Sequence, residues 1–259
     1  SNEKKNPQDF ALWKKAEDKH IMKWKSPWSL GFPGWHLECS AMSRKYLGNK
    51  FDIHGGGLDL KFPHHDCEIA QNECLSNEVS ANFWLHTNML TLNGKKMSKS
   101  TGNSVLASEI FDGNNNIFSK SFSPMTLKFF MYQAHYRNTL DLSNEALLAS
   151  EKAFEKVVQL KKDIDNLETS DISNICSQDW VDNCYKSIND DFNSPKLIAN
   201  FFDLIKIINE IKSGKKKIDI ENKDLLINYF SVFITDILGL SFSSGDHSSI
   251  KSFIFQIYR

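Results

Sequence analysis

Lys96-Met97-Ser98-Lys99-Ser100 sets two ammonium groups three residues apart with a serine between them, and Thr101-Gly102-Asn103 follows. A mobile loop of this kind can close over a triphosphate and neutralise charge that builds in a transition state. A solvated run of charge is the ordinary reading of a short lysine cluster, so the loop has to be weighed with two other groups. The first joins Cys39 to His64 and Glu68, which lie in the run from Phe62 to Glu68. Pro63 suits the entry to a helix, and His64 and Glu68, four apart, then share one helical face. A cysteine, a histidine and a glutamate form an ordinary catalytic zinc set, in which three protein ligands leave an exchangeable position. His65 and Cys67 are close enough in sequence to be rival ligands. The second group is His54-Gly55-Gly56-Gly57-Leu58-Asp59. Glycines after a strand let a ligand approach the backbone closely, and a carboxylate just beyond suits ribose hydroxyls. A flexible turn is the bland alternative.

The elements that must position these residues change character near residue 140. Before it, five of the six tryptophans and seven of the eight histidines cluster among frequent turn signals. Phe51-Asp52-Ile53 reads as a short strand running into the glycines, with helical character in residues 37–46 before it and 65–75 after it. Residues 84–92 are apolar enough for a buried strand, ending at the turn Asn93-Gly94, where the lysine loop begins. Strand, glycine turn and helix in this order fit part of a doubly wound α/β sheet, with ligands beyond the carboxyl ends of the strands. After residue 140 the chain turns helical, with apolar residues at helical spacing over 145–164, 180–188, 197–211 and 225–238. Asn193 or Ser194 before Pro195 is a good helix start. Lys215 to Lys217 reads as a solvated basic turn.

Composition narrows the class. The 259 residues carry 31 Lys+Arg against 32 Asp+Glu, which argues against a general polyanion binder while allowing a local basic face. No apolar run is long enough for a membrane span, and no signal peptide opens the chain. Cys39, Cys67, Cys74, Cys176 and Cys184 are odd in number and irregular in spacing, which is no disulfide framework. A reduced, cytoplasmic protein and a monomer are the default expectations.

Gly34–Met42 (GWHLECSAM), Phe51–Gln71 (FDIHGGGLDLKFPHHDCEIAQ), Lys96–Asn103 (KMSKSTGN) and Asp190–Pro195 (DDFNSP), with the opening Asn6–Lys14 (NPQDFALWK), together resemble the cysteinyl-tRNA synthetases, members of the class I aminoacyl-tRNA synthetases. The resemblance runs from about residue 6 to about residue 205. It implies the second half of a Rossmann-like catalytic domain over residues 1–140, followed by an all-α bundle over 141–259 that contacts tRNA. It also implies ligation of cysteine to tRNA(Cys) in two steps through cysteinyl-adenylate, with ATP and its Mg2+. The family's zinc is held by two cysteines, a histidine and a glutamate, and Cys39, His64 and Glu68 fall on three of those positions. One Zn2+ per chain is implied, and its fourth protein ligand would lie outside this sequence. The family's substrate thiolate joins the zinc, which rejects serine because an alcohol is a poor zinc ligand. Trp35 matches the wall of the amino-acid pocket, with core packing as its competing role. His54, Gly55, Gly56 and Gly57 match the adenosine site, Asp59 the ribose partner, and Lys96 and Lys99 the catalytic lysines, Lys99 also as an ATP contact.

This sequence departs from the family in having no His-Ile-Gly-His-type motif and in lacking the first zinc cysteine, so it reads as a C-terminal portion of the catalytic domain. Cys67 stands where the family usually has asparagine. A small anticodon-binding tail is expected to be absent or incomplete. Arg137, with His135 and Tyr136, reads either as an acceptor-stem contact or as packing at the junction. Two other functions compete: the related ligase joining cysteine to an amino-sugar in mycothiol synthesis, and a non-catalytic tRNA-binding fragment.

Overall fold

The computed structural model describes residues 4–98 and 102–242. Two compact units divide after Met89.

In the first unit, β1 (Trp13–Lys15), β2 (Trp24–Lys25) and β3 (Leu30–Pro33) form an antiparallel sheet in the order β1-β3-β2. The chain then enters α1 (Trp35–Leu47), β4 (Phe51–Gly57), α2 (Asp66–Ser76) and β5 (Ala81–Thr87). β4 and β5 pair in parallel, from Phe51 opposite Ala81 to Gly57 opposite Thr87. A parallel pair needs a crossover, and α2 lies within it. Two short helical turns, Leu58–Leu60 and Lys61–His65, lead into α2. The second is broken at Phe62, whose φ of −136° and ψ of 133° are extended, as the residue before a proline prefers.

Two strand expectations are corrected here. Gly55, Gly56 and Gly57 are not a turn: they continue β4, opposite Leu85, His86 and Thr87. The apolar run 84–92 is not one strand either. It is broken at Asn88-Met89 between β5 and β6 (Leu90–Leu92), which belong to different sheets.

In the second unit β6 forms a hairpin with β7 (Lys95–Lys96) and pairs in parallel with β8 (Leu140–Leu142). Asn93 and Gly94 have φ of 51° and 73°, the left-handed pair that matches a tight turn to the twist of its strands. Between β7 and β8 lie α3 (Ala107–Asp112) and α4 (Pro124–Tyr132). Leu92, Leu142, Leu147, Ile110, Phe122 and Phe130 make one core. The helices α5 (Asn144–Asp165), α6 (Ser177–Asn189), α7 (Ser194–Lys212) and α8 (Ile220–Ser231) share a second core that includes Val157, Leu160, Trp180, Phe201, Leu204 and Phe230. Asn193, not Ser194, caps α7, its side chain accepting from the Lys196 amide. The segment expected as one helix to 238 leaves α8 at Ser231 and continues in a wider turn over Val232–Ile237.

The buried stripe sets a stability prediction. Leu204 is fully buried in the bundle, whereas Leu106 is 58 % exposed. Leu204→Ala should cost about 2–5 kcal/mol, and Leu106→Ala should stay within about 0.5 kcal/mol, both read from urea denaturation midpoints.

Candidate active site and metal centre

The parallel register of β4 and β5 places chemistry on one face, because alternate residues of a strand point the same way. His54 lies opposite Trp84, and Gly56 opposite His86. His54 stacks on Trp84 with ring centroids 4.5 Å apart. Gly56 has no side chain, and the His65 ring fills that space: a Cβ on Gly56 would lie 2.7 Å from its Cε1. A Cβ on Gly57 would collide with the Asp59 carboxylate, while one on Gly55 would meet only Leu85 O, at 3.9 Å. Two of the three glycines therefore make room for named neighbours.

Helices α1 and α2 bring Cys39 toward His64 and Glu68. A polar clamp sets their relation: Ser40 donates to Gln71 Oε1 at 2.6 Å, and Asn72 donates to the Ser40 hydroxyl at 3.5 Å. The ligand atoms of Cys39, His64 and Glu68 lie within 4.8 Å of one another, as do those of His54, His65 and Glu68. Cys67 is buried but joins neither group. His65, the other rival, does converge on Glu68, on the side facing His54.

Glu68 is the electrostatic centre. Its side chain is 1 % exposed, with His64 Nε2 2.9 Å from Oε1 and His54 Nε2 3.5 Å from Oε2. Neither contact is aligned as a hydrogen bond, and both carboxylate oxygens lack a hydrogen-bond partner among the described residues. Burial pushes the carboxyl up to about 7. Burial, with the charges of Glu68 and Glu38, raises the Cys39 thiol, and burial with neighbouring histidines lowers His64 and His54 and brings His65 down to about 4. Neutral imidazoles, a thiol and a buried carboxylate with no donor aimed at it form a donor set that fits a divalent metal.

Three residues with no role in the sequence reading support the site. His36 Nδ1 lies 2.7 Å from His64 Nδ1, orienting the ring so that Nε2 faces Glu68. His86 Nε2 lies 2.9 Å from His65 Nδ1, and Trp84 backs His54. The signals were present: His36 is three residues before Cys39 on one helix face, and Trp84 and His86 alternate on one strand. Trp35 is 59 % exposed with its ring 4.4 Å from His64, so it is no core residue. Asp59 is exposed in the turn after β4.

In the second unit Lys96 closes β7, exposed and opposite Thr91. Met97 packs on the core that contains Leu92. Ser98 bridges to Asn103, and Asn103 donates to the Lys96 carbonyl at 3.1 Å. Lys99, Ser100 and Thr101 lie outside the described residues. Asp141 on β8 accepts from the Gly94 amide at 2.7 Å and the Thr91 hydroxyl at 2.6 Å, fixing the turn that launches the lysine loop. Arg137 and Tyr136 bond the Asp191 carboxylate at 2.8 and 2.7 Å.

The model for the catalytic domain of class I (C) tRNA synthetases matches residues 1–152, and that for the DALR domain matches 184–243. A solved leucyl-tRNA synthetase of Agrobacterium radiobacter, in a ternary complex with tRNA and LeuAMS, covers 85 % of this chain and 32 % of its own. Its TM-score is 0.58 at 15 % identity, a likeness of fold. The fold is therefore that of a class I synthetase catalytic domain joined to a helical DALR domain. Proteins named Cysteine--tRNA ligase are similar at 48 % identity over 94 % of this chain in Bacteroides thetaiotaomicron and 50 % over 92 % in Cytophaga hutchinsonii. The chain belongs to the cysteinyl-tRNA synthetase family. It spans about half the length of these relatives, 50 % of each. Among the described residues, no helix is long and apolar enough to cross a membrane.

The tether at Asp141 is testable. Its two donors hold the carboxyl below its usual 3.8. A lowered folded pKa means the tether is intact above 3.8 and is lost as pH falls through the lower folded value. The Gly94 amide proton resonance should titrate with a midpoint below 3.8, and Asp141→Ala should abolish that titration.

Proposed function

We propose that this chain forms part of a cysteine–tRNA ligase that uses ATP to join cysteine to tRNA(Cys) through cysteinyl-adenylate. The observation that carries this reading is the convergence of Cys39, His64 and Glu68 around a buried carboxylate with no hydrogen-bond partner among the described residues. In the first step the cysteine carboxylate attacks the α-phosphorus of ATP, and pyrophosphate leaves. In the second a terminal ribose hydroxyl of the tRNA attacks the cysteinyl carbonyl, and AMP leaves.

Cys39, His64 and Glu68 would hold Zn2+, with a fourth protein ligand outside this sequence. Bound there, the ion supplies a thiophilic position that distinguishes a thiol from an alcohol. His36 keeps His64 Nε2 directed at that position, and Trp35 walls it on the exposed side. The backbone of His54 to Gly57 lets adenosine approach β4, and Asp59 accepts from the ribose hydroxyls. Lys96 and Lys99 neutralise the triphosphate, which brings its own Mg2+. Residues 1–140 carry the activation step, and 141–259 contact the tRNA. The protein acts in the cytoplasm as a monomer.

The relatives' similarity extends through the helical segment, which a ligase for a small amino-sugar would not need for RNA contact. Their name also favours a synthetase over a fragment that only binds tRNA. The test uses the product of the whole reading frame that contains this chain, with labelled cysteine and total tRNA. Charging is expected. Lys96→Ala should slow adenylate formation by about 10²–10³-fold, the scale of losing one preorganised charge partner, with little change in KM for cysteine. Formation of cysteinyl-adenylate with no transfer to tRNA would overturn the reading and favour the amino-sugar ligase.

A further inference from the structure

We propose that Asp141 is a positioning residue for adenylate formation, acting on Lys96 through the β6–β7 hairpin. The inference rests on the ligase reading above and adds a residue to its activation step.

Three side chains stand in one row across the second-unit sheet. Lys96 on β7 lies opposite Thr91 on β6, and Thr91 lies opposite Asp141 on β8. Partners in register on neighbouring strands share a face, so the ammonium, the hydroxyl and the carboxylate lie on the same side, one strand spacing of roughly 4.8 Å at a time. No ion pair or hydrogen bond engages the Lys96 ammonium among the described residues. Its reach is therefore set by the backbone of β7, a strand of only 2 residues.

That backbone is held from β8. Asn93 turns the hairpin at φ 51°, a region that side-chain-bearing residues seldom enter, and the turn is tied down at three points. The Asn93 amide donates to the Leu142 carbonyl at 3.0 Å, and the Gly94 amide donates to Asp141 Oδ1 at 2.7 Å. The Thr91 hydroxyl donates to the same Oδ1 at 2.6 Å. One carboxylate oxygen thus fixes both the tip of the hairpin and the residue directly across from Lys96. The far end of the loop is registered on the same short strand, since Asn103 donates to the Lys95 and Lys96 carbonyls at 3.4 and 3.1 Å. Asp141 lies outside the lysine motif, on a separate strand, and touches none of the reacting groups. A displacement of about 1 Å in a positioned group costs on the order of 10²-fold in rate. Asp141 is exposed, so water replaces part of the tether when the carboxylate is removed, and a smaller loss of about 10-fold is expected.

The test uses the product of the whole reading frame that contains this chain and follows cysteine-dependent exchange of labelled pyrophosphate into ATP. Asp141→Ala should lower kcat about 10-fold with KM for cysteine unchanged, while transfer of cysteine from preformed adenylate to tRNA keeps the parent rate. Asp141→Asn, whose amide oxygen accepts the same two bonds, should return exchange to within about 2-fold of the parent. In a Lys96→Ala background Asp141→Ala should add no further slowing, because residues that act through one another are not additive. Folding of each variant is checked by circular dichroism. If Asp141→Ala does not fold, Thr91→Val, which removes one donor and keeps the β-branched shape, is read for the same kcat loss and the same absence of effect in the Lys96→Ala background. An Asp141→Asn enzyme as slow as Asp141→Ala, full multiplicative slowing in the Lys96→Ala background, or no slowing at all would each overturn the positioning role and leave the ligase reading standing. No cysteine-dependent exchange by the parent would overturn that reading, and the inference with it.

Discussion

The candidate metal centre depends on a strand that carries no side chain where a ring must stand. Parallel pairing puts Gly56 opposite His86 and His54 opposite Trp84 on one face of the β4–β5 pair. His65 enters from the turn before α2 and occupies the place a Gly56 side chain would take. With His65 seated there, His86 is in reach of its Nδ1 and His54 stands beside it, ring centroids 4.7 Å apart. The same descent of chain delivers His64 and Glu68 to the end of α2 nearest α1, where Cys39 sits. A one-residue slip in the β4–β5 register would turn this set to the opposite face.

What that geometry produces is an electrostatic problem solved by chemistry and not by packing. Burying a carboxylate without donors is costly, and burial pushes the Glu68 carboxyl up to about 7. The surrounding imidazoles cannot relieve it as cations, because burial and their mutual proximity lower their own basicity. A cation from solution relieves both sides: it is attracted to the carboxylate and takes the lone pairs of neutral imidazoles. The polar clamp of Ser40, Gln71 and Asn72 holds α1 against α2 so that these donors stay convergent.

The second unit uses two aspartates in a comparable way. Asp141 ties β8 to the β6–β7 turn through Gly94 and Thr91. Asp191, at φ 55°, receives Tyr136 and Arg137, a few residues upstream of β8, at the turn between α6 and α7. The lysine loop is thus launched from a rigid base that is continuous with the helical bundle.

The sequence by itself determined the class of fold and the donor types. Helical character marked α1 and α2, and helical periodicity located α5–α7 because amphipathic spacing is a local property. The i, i+4 spacing of His64 and Glu68 suggested a shared helical face, the family resemblance joined Cys39 to them as a metal set, and Asn93-Gly94 was enough to place a turn. The tertiary structure alone decided three things. It made the Gly55–Gly57 run a strand, because pairing with β5 overrides the local preference of glycine for turns. It cut residues 84–92 between two sheets, which an unbroken apolar run cannot reveal. It also sorted His65 from Cys67 and recruited His36 and His86, since which ring nitrogens meet depends on contacts between residues 21 and 28 positions apart, beyond the reach of any local pattern.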